Sequence, residues 1–118
     1  MSRRVLLVVP ELLVLTRIRE TARTAGVEVE TATSAEAIEA CRRQRPDLVV
    51  FDLADPTDPF AAAAAIRDDP ALAGIPLIGF YPHVDASLRA RALAAGIQPL
   101  PRSAFTTRLA ALLTGAAS

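Results

Sequence analysis

Residues 45–53 read Arg-Pro-Asp-Leu-Val-Val-Phe-Asp-Leu, and this stretch decides the fold class. The proline separates it from the preceding segment. Residues 48–51 are then apolar without interruption, which is typical of a strand buried on both faces within a parallel sheet. Asp52 follows this apolar run. A carboxylate at the end of a buried strand is costly unless it is solvated, paired or used, so Asp52 is the residue whose type the strand pattern does not explain.

Four further segments have strand character, namely residues 5–9, 27–31, 77–80 and 98–100. The first and third are apolar throughout. The second alternates Val with Glu, and the last contains Pro99, and both features favour positions nearer the edge of a sheet. The sequence therefore predicts five strands with a buried centre.

Segments with helical spacing separate these strands. The first predicted helix ends at Gly26, and its apolar face consists of Leu12, Leu15, Ile18, Ala22 and Ala25. The other four helices have predicted N-caps, which are Ser34, Asp58, Asp85 and Ser103.

Five alternating strand and helix segments predict a mostly parallel sheet with helices on both faces. The 118 residues are enough for one domain. We therefore expect an α/β flavodoxin-like (βα)5 three-layer sandwich with strand order 2-1-3-4-5, as one domain over residues 1–118 that includes a short tail at 115–118.

Composition excludes several function classes. Hydrophobic residues make up 52% of the chain and charged residues 22%, so the chain can bury a core. The 13 basic and 13 acidic residues cancel, which leaves no electrostatic footprint for nucleic acid or an anionic membrane. No apolar run reaches the roughly 18 residues of a membrane span, and the single cysteine, Cys41, fits a reducing compartment. We expect a cytoplasmic protein that binds neither nucleic acid nor membrane.

In sheets of this kind the reactive crevice lies at the carboxyl ends of the strands. The predicted crevice residues are Pro10, Glu11, Asp52, Tyr81 and Arg102. Because the Asp52 carboxylate needs a cation, we expect Arg102 to reach it, directly or through water.

Several segments resemble the receiver domains of response regulators. They are residues 5–9, residues 45–53 with Pro56, residues 69–78 and the turn at 94–96. The most specific are residues 45–53 and the linker at 69–78, and the resemblance covers essentially the whole chain. It implies phosphoryl transfer onto Asp52, assisted by Mg²⁺ that acids after the first strand hold.

The other positions of that family's site are altered. Pro10 and Glu11 stand at the two acidic positions, Tyr81 stands at a Ser or Thr position, and Arg102 stands at a lysine position. The chain thus resembles a degenerate receiver, or pseudo-receiver, and we expect it to have no catalytic residues and no cofactor. With Pro10 in place of an acid, Mg²⁺ is predicted to bind only non-specifically at millimolar concentration.

Two readings of function remain open from the sequence. The leading hypothesis is a stand-alone, non-enzymatic signalling module that acts through protein contacts, without ordinary Mg²⁺-dependent aspartyl phosphorylation. The alternative is a single-domain response regulator that accepts phosphate on Asp52 from a histidine kinase. A flavodoxin-like enzyme or ligand-binding domain is disfavoured, because no glycine-rich phosphate loop follows the first strand.

The resemblance places the interaction surface on the fourth helix, fifth strand and fifth helix. Its candidate residues are Arg89, Arg91, Phe105 and Arg108. Their partner is predicted to be a signalling protein, a histidine kinase or a second copy of the chain.

Three further features have alternative interpretations. Glu11 is either a solvated acid at a helix start or a metal ligand. The arginines at 42, 43 and 45 are either a helix C-terminal face or a docking patch. His83 is the only histidine, and no nucleophile or metal ligand stands at a recognisable spacing from it.

Overall fold

The computed structural model describes residues 2–82 and 85–116, and its centre is a five-stranded parallel sheet. The strand order is β2-β1-β3-β4-β5, which confirms the predicted fold class and topology. The strands are β1 (Arg4–Val8), β2 (Glu28–Thr31), β3 (Leu48–Asp52), β4 (Leu77–Tyr81) and β5 (Gln98–Pro101).

Helices cover both faces of the sheet. They are α1 (Leu12–Ala25), α2 (Ala37–Gln44), α3 (Pro59–Asp68), α4 (Ala86–Ala94), α5 (Arg102–Thr107) and α6 (Leu109–Thr114). The predicted fifth helix is thus divided at Arg108, whose φ of −98° and ψ of 9° depart from helical values. Hydrogen bonds from Arg108 N–H to Ala104 O and from Leu112 N–H to Arg108 O continue across this bend. None of the helices in the described ranges has the length and apolar character that a membrane crossing requires.

The core is divided into two clusters because successive strand side chains point to opposite faces. Leu6 and Val8 of β1 pack with α2, α3 and α4, whereas Val5 and Leu7 pack with α1, α5 and α6. Strands that are buried on both faces need apolar residues at every position. This is why β1, β3 and β4 are nearly unbroken apolar runs.

Two predicted helix caps are confirmed and two are wrong. The Asp58 and Asp85 carboxylates accept backbone hydrogen bonds at the starts of α3 and α4. Ser34 does not cap α2, which begins at Ala37 without a side-chain cap hydrogen bond. Thr33 and Glu36 exchange side-chain and backbone hydrogen bonds in the turn that precedes it. Ser103 lies inside α5, which begins one residue earlier at Arg102.

The apolar face of α1 is buried only in its middle. Ile18 and Ala22 are buried, Leu15 is partly buried, and Leu12 and Ala25 at the two ends are exposed. The helix has 14 residues and is therefore about 21 Å long, whereas a five-residue strand such as β1 spans about 17 Å. The ends of α1 extend past the sheet, so the prediction that Leu12 and Ala25 belong to the buried face is wrong.

Gly79 in β4 provides a test of this packing. A Cβ at Gly79 would lie 2.7 Å from Leu53 Cδ2 and 3.1 Å from Ile97 Cγ2, and both side chains belong to the core. We expect Gly79→Ala to lower the free energy of unfolding by about 1–3 kcal/mol, because neighbouring core side chains must leave their preferred rotamers. Urea denaturation measures this change.

Gly74→Ala is the matched control, since the nearest atom to its added Cβ is Arg45 Nη2 at 3.9 Å. It is expected to change stability by less than about 0.5 kcal/mol. Equal effects of the two substitutions would contradict the assigned packing.

Candidate functional site

The carboxyl ends of the parallel strands place the predicted crevice residues along one edge of the sheet. Asp52 ends β3, Tyr81 ends β4, and Arg102 follows β5 directly. Pro10 and Glu11 connect β1 to α1. The topology therefore gathers these five residues at one edge, although their side chains do not all face the same space.

Asp52 is buried at the end of a fully buried strand, with 7% of its surface exposed. Its Oδ1 accepts a hydrogen bond of 3.0 Å from the Ala54 backbone N–H. Burial raises the pKa of the Asp52 carboxyl, and the hydrogen bond from Ala54 and the charge of Arg102 oppose that rise. The nearby carboxylates of Asp55 and Glu11 raise it further. The site thus disfavours the charged form of its central acid.

Arg102 pairs with Glu11. Its Nη2 donates to Glu11 Oε2 at 2.8 Å, and both side chains are about half exposed, at 46% and 45%. The direct Arg102–Asp52 contact that we predicted is therefore wrong, whereas the predicted contact through water stays a prediction. The charge of Arg102 opposes the rise in the pKa of Asp52. The physical reason for the lack of a direct contact is solvation, because a guanidinium that descended to a buried carboxylate would lose water on both partners, whereas Glu11 meets it at the surface.

This ion pair reaches across the crevice. Glu11 belongs to the end of β1 and Arg102 to the end of β5, and β3 and β4 lie between these strands. Three strand spacings amount to about 14 Å, a distance that two long side chains can span together. The guanidinium carbon of Arg102 also lies 5.7 Å from the centre of the Phe80 ring.

Magnesium does not fit the donors that the crevice presents. Mg²⁺ requires octahedral oxygen ligands, including one or two carboxylates. Pro10 offers no side-chain oxygen, the Glu11 carboxylate is bound to Arg102, and Asp52 Oδ1 already accepts from Ala54. Within the described residues, no three His, Cys, Asp or Glu side chains come together as a metal site. The prediction of non-specific Mg²⁺ binding remains to be measured.

Tyr81 lies on the opposite face of the sheet from Asp52. Its ring is 6% exposed and packs in the cluster beneath α2, α3 and α4, whereas its neighbour Phe80 packs beneath α1, α5 and α6. The prediction that the Tyr81 side chain belongs to the crevice is therefore not supported. It fills the core behind the site.

A buried polar cluster behind Asp52 was missed by the sequence analysis. Asp55 accepts hydrogen bonds from the Thr57 side chain at 2.7 Å and from the Thr57 backbone N–H at 2.9 Å. Ser34 Oγ, from the loop before α2, lies 3.5 Å from Asp55 Oδ2 and 3.2 Å from Thr57 Oγ1. The Asp-Pro-Thr run after β3 indicates a turn, but only the fold brings Ser34 to it. The cluster fixes the loop that follows Asp52.

Only some of the residues predicted for the interaction surface on the fourth and fifth helices are exposed and unpaired. Phe105 is 3% exposed, and its ring stacks on Phe80 with a centroid distance of 4.7 Å. It is a core residue, so its assignment to an interface is wrong. Arg91 is held against α3, with its guanidinium carbon 4.1 Å from the centre of the Phe60 ring. Arg89 is exposed and Arg108 is partly buried.

The arginines near the end of α2 are engaged within the fold. Arg42 pairs with Glu39 at 2.7 Å and with Asp69 at 3.1 Å, and Arg43 pairs with Glu30 at 2.7 Å. Arg45 Nε donates to a backbone carbonyl 3.3 Å away. These contacts favour the interpretation of the three arginines as a helix C-terminal face over their interpretation as a docking patch.

Cys41 is not part of the site. It is fully buried in the core, and burial raises the pKa of its thiol to about 11, which makes it unreactive. His83 lies outside the described residues.

The raised pKa of Asp52 predicts how its removal affects stability. A carboxyl with a higher pKa in the folded state destabilises the folded protein once the pH exceeds its pKa in the unfolded chain, about 3.9. We therefore expect Asp52→Asn to be more stable than the wild type at pH 7, because an amide can still accept from Ala54. The advantage should narrow as the pH falls from 7 towards 4, as measured by thermal unfolding.

Asp58→Asn is the matched control for this substitution, because Asp58 is exposed and caps α3. Asn is a good cap, so this variant should not reproduce the pH-dependent advantage. A loss of more than about 1 kcal/mol at pH 7 in Asp52→Asn would show that the ionised carboxylate stabilises the fold.

Comparison with known proteins shows which solved structures share this fold. No family model matches the chain, and no curated protein matches it. A response regulator from Hahella chejuensis matches with a TM-score of 0.84 and 22% identity, over 96% of this chain and 93% of the other. A chemotaxis response regulator of Vibrio cholerae matches with a TM-score of 0.82 and 23% identity, over 98% of each chain.

A third structure is the receiver domain of a sensor histidine kinase from Pseudomonas aeruginosa, with a magnesium ion coordinated in its active-site cleft. It matches with a TM-score of 0.81 and 24% identity, over 98% of this chain and 99% of the other. The three agree in fold over nearly their whole lengths while differing from this chain at more than three quarters of positions. The chain therefore has the fold of the response-regulator receiver domain.

Proposed function

We propose that this protein is a receiver-like module of two-component signalling that acts through protein contacts, without ordinary Mg²⁺-dependent phosphorylation of Asp52. It is a single domain and not an enzyme. The observation that carries this proposal is the ion pair between Glu11 and Arg102. The acid that precedes α1 and the cation directly after β5 offset each other's charge.

Phosphoryl transfer to a carboxylate needs positive charge around the transferred group. The ion pair occupies the Glu11 carboxylate, which could otherwise hold Mg²⁺, and the Arg102 guanidinium, which could otherwise meet a phosphoryl oxygen. Tyr81 directs its side chain into the other half of the core, so β4 offers no hydroxyl in place of the Ser or Thr of the family. Each of these features disfavours phosphoryl transfer to Asp52.

A protein that does not switch by phosphorylation has to act through a surface that it always presents. We place this surface on α4, β5 and α5. Arg89 is exposed there, and Leu93 is 53% exposed. Arginine beside apolar area is typical of modest protein interfaces and favours an acidic partner. Such a partner is a signalling protein or a histidine kinase. A second copy is less favoured, because a symmetric contact would bring arginines together.

One observation favours the alternative, a phosphorylatable single-domain response regulator. Asp52 is retained at the end of β3 and its surface is not fully buried. Within the described residues, Asp52 Oδ2 has no hydrogen-bond donor. A carboxylate oxygen open to the crevice is what a phosphoacceptor requires.

Incubation with Mg²⁺ and a small phosphodonor, followed by intact-mass measurement, separates the two functions. We expect no mass increase in the wild type, because Glu11 and Arg102 remain paired. An added phosphoryl group that is absent from Asp52→Asn would overturn the proposal and establish the alternative.

Pro10→Asp provides a control for the metal in the same experiment. The substitution restores a carboxylate next to Glu11, so Mg²⁺ should bind more tightly than in the wild type, as followed by calorimetric titration. Saturable binding to the wild type that is lost in Asp52→Ala would contradict the predicted lack of a specific magnesium site.

Arg89 and Arg91 should respond differently to charge reversal. Arg89→Glu should leave the melting temperature unchanged and weaken binding to an acidic partner. Arg91→Glu should lower the free energy of unfolding by about 0.5–1 kcal/mol, because it removes the contact with Phe60. Thermal unfolding of the two variants in parallel measures this difference. Equal melting temperatures would show that the Arg91–Phe60 contact contributes nothing to stability.

A further inference from the structure

A pocket lies at the amino ends of the strands, at the opposite end of the sheet from Asp52. Leu48, Ile78 and Gln98 line it from the beginnings of β3, β4 and β5, and Leu112 borders it from α6. Its volume is about 240 Å³, which is below the roughly 300–1,000 Å³ of sites that hold drug-sized ligands. The pocket is therefore of a size for a small metabolite.

The two least exposed arginines of the chain both line this pocket. All 13 basic residues are arginines. Of these, only Arg3 and Arg108 are partly buried, whereas all the others are exposed. Arg3 precedes β1, and Arg108 is at the bend between α5 and α6. Because removing a charge from water costs free energy unless the charge is paired, two partly buried cations in one pocket favour an anion there.

Neither arginine has an acidic partner within the described residues. No carboxylate oxygen of that part of the chain lies within 4.0 Å of either guanidinium. Arg3 Nε donates to the carbonyl oxygen of Leu113 at 2.6 Å, which holds this side chain against the end of α6. The two terminal nitrogens of Arg3 and the whole Arg108 guanidinium make no hydrogen bond to the described residues. These donors are therefore available to an anion in the pocket.

The fold brings the polar lining residues together from distant parts of the chain. Arg3 lies two residues before Val5, and Gln98 lies two residues before Leu100. Because side chains alternate between the two faces of a strand, Arg3 and Gln98 face α1, α5 and α6, as Val5 and Leu100 do. Arg108 lies in the helical segment that covers this face. The two guanidiniums and the Gln98 amide therefore border one space.

The charges of the lining residues favour an anion with a single negative charge. Asp47 is the only acid among them, and its Oδ2 accepts from the Arg4 backbone N–H at 2.9 Å. The two arginines (+2) and this aspartate (−1) give the lining a net charge of +1. A monoanion neutralises that charge, whereas a second negative charge on the ligand would meet the Asp47 carboxylate.

We propose that this pocket binds a small monocarboxylic acid with a short apolar body. Its carboxylate accepts hydrogen bonds from the Arg3 and Arg108 guanidiniums, whose planar forks match the two carboxylate oxygens. Its apolar body lies against the side chains of Leu48, Ile78 and Leu112. The site is separate from the crevice at the other end of the sheet, so the inference goes beyond the proposed signalling function and does not depend on it.

Titration of the full chain with 4-methylpentanoate, followed by NMR, tests the proposal. The side-chain Nε–H signals of Arg3 and Arg108 and the backbone amide signal of Gln98 should shift and saturate. 4-Methylpentanamide has the same carbon skeleton without the charge, so it should leave these signals in place. Inorganic phosphate has no apolar body and carries more negative charge, so it should bind at least tenfold more weakly than the carboxylate.

Two pairs of matched variants test the location. Arg108→Gln removes one guanidinium and Gln98→Glu adds a carboxylate to the lining, and each should weaken the binding of 4-methylpentanoate at least tenfold. Arg19→Gln and Gln44→Glu make the same changes of charge at exposed residues outside the pocket, and they should change its Kd less than twofold. Thermal unfolding without the ligand shows that each variant folds.

Several results would overturn the inference. Shifts that do not saturate, or phosphate binding as tight as that of the carboxylate, would indicate an adventitious ion only. Equal binding of the uncharged amide would show that the pocket does not recognise the carboxylate. Equal effects of the pocket variants and their controls would place the bound anion elsewhere. None of these results bears on the proposed function, which fails only if Asp52 accepts a phosphoryl group from the donor with Mg²⁺.

Discussion

Burial of β3 on both faces is the constraint on which the rest of the structure depends. All five of its residues are buried, and it lies between β1 and β4 at the centre of the sheet. A central parallel strand requires helices above and below it, and right-handed crossovers then determine where each helix lies. The same constraint places Asp52 at the edge of the core, where its charge is poorly solvated and its pKa is raised.

The electrostatics of the crevice follow from this position. Glu11 pairs directly with Arg102, so these two charges offset each other. Burial raises the pKa of Asp52, and the nearby carboxylates of Asp55 and Glu11 raise it further, while the Ala54 hydrogen bond and the charge of Arg102 oppose that rise. The Glu11–Arg102 pair therefore leaves the Asp52 carboxylate without a cation in direct contact.

The aromatic pair Phe80 and Phe105 connects the crevice to the core beneath α1, α5 and α6. The guanidinium carbon of Arg102 lies 5.7 Å from the centre of the Phe80 ring, and Phe80 stacks on Phe105. Helix α4 packs on the opposite face of the sheet from α1, and its Arg91 contacts Phe60 of α3.

The sequence by itself determined the order of strands and helices, because short unbroken apolar runs such as residues 48–51, set between segments of helical spacing, are typical of strands buried on both faces. It also indicated that Asp52 is exceptional, because the strand pattern does not explain a carboxylate at the end of a buried strand. Tertiary structure decided the partners of the charged and polar side chains. Arg102 pairs with Glu11 and not with Asp52, because solvation favours an ion pair at the surface. No sequence pattern shows which of the two acids is solvent-exposed.

Long-range packing also explains other differences between the predicted and the observed structure. Ser34 has the residue type of a good cap, but it lies against Asp55 from another loop, and α2 begins at Ala37 without a side-chain cap. Leu12 and Leu15 fit one helical face equally well, and the length of the sheet decided which of them is covered. Local pattern specifies the elements, whereas long-range packing and solvation decide which of their side chains are left to meet a partner.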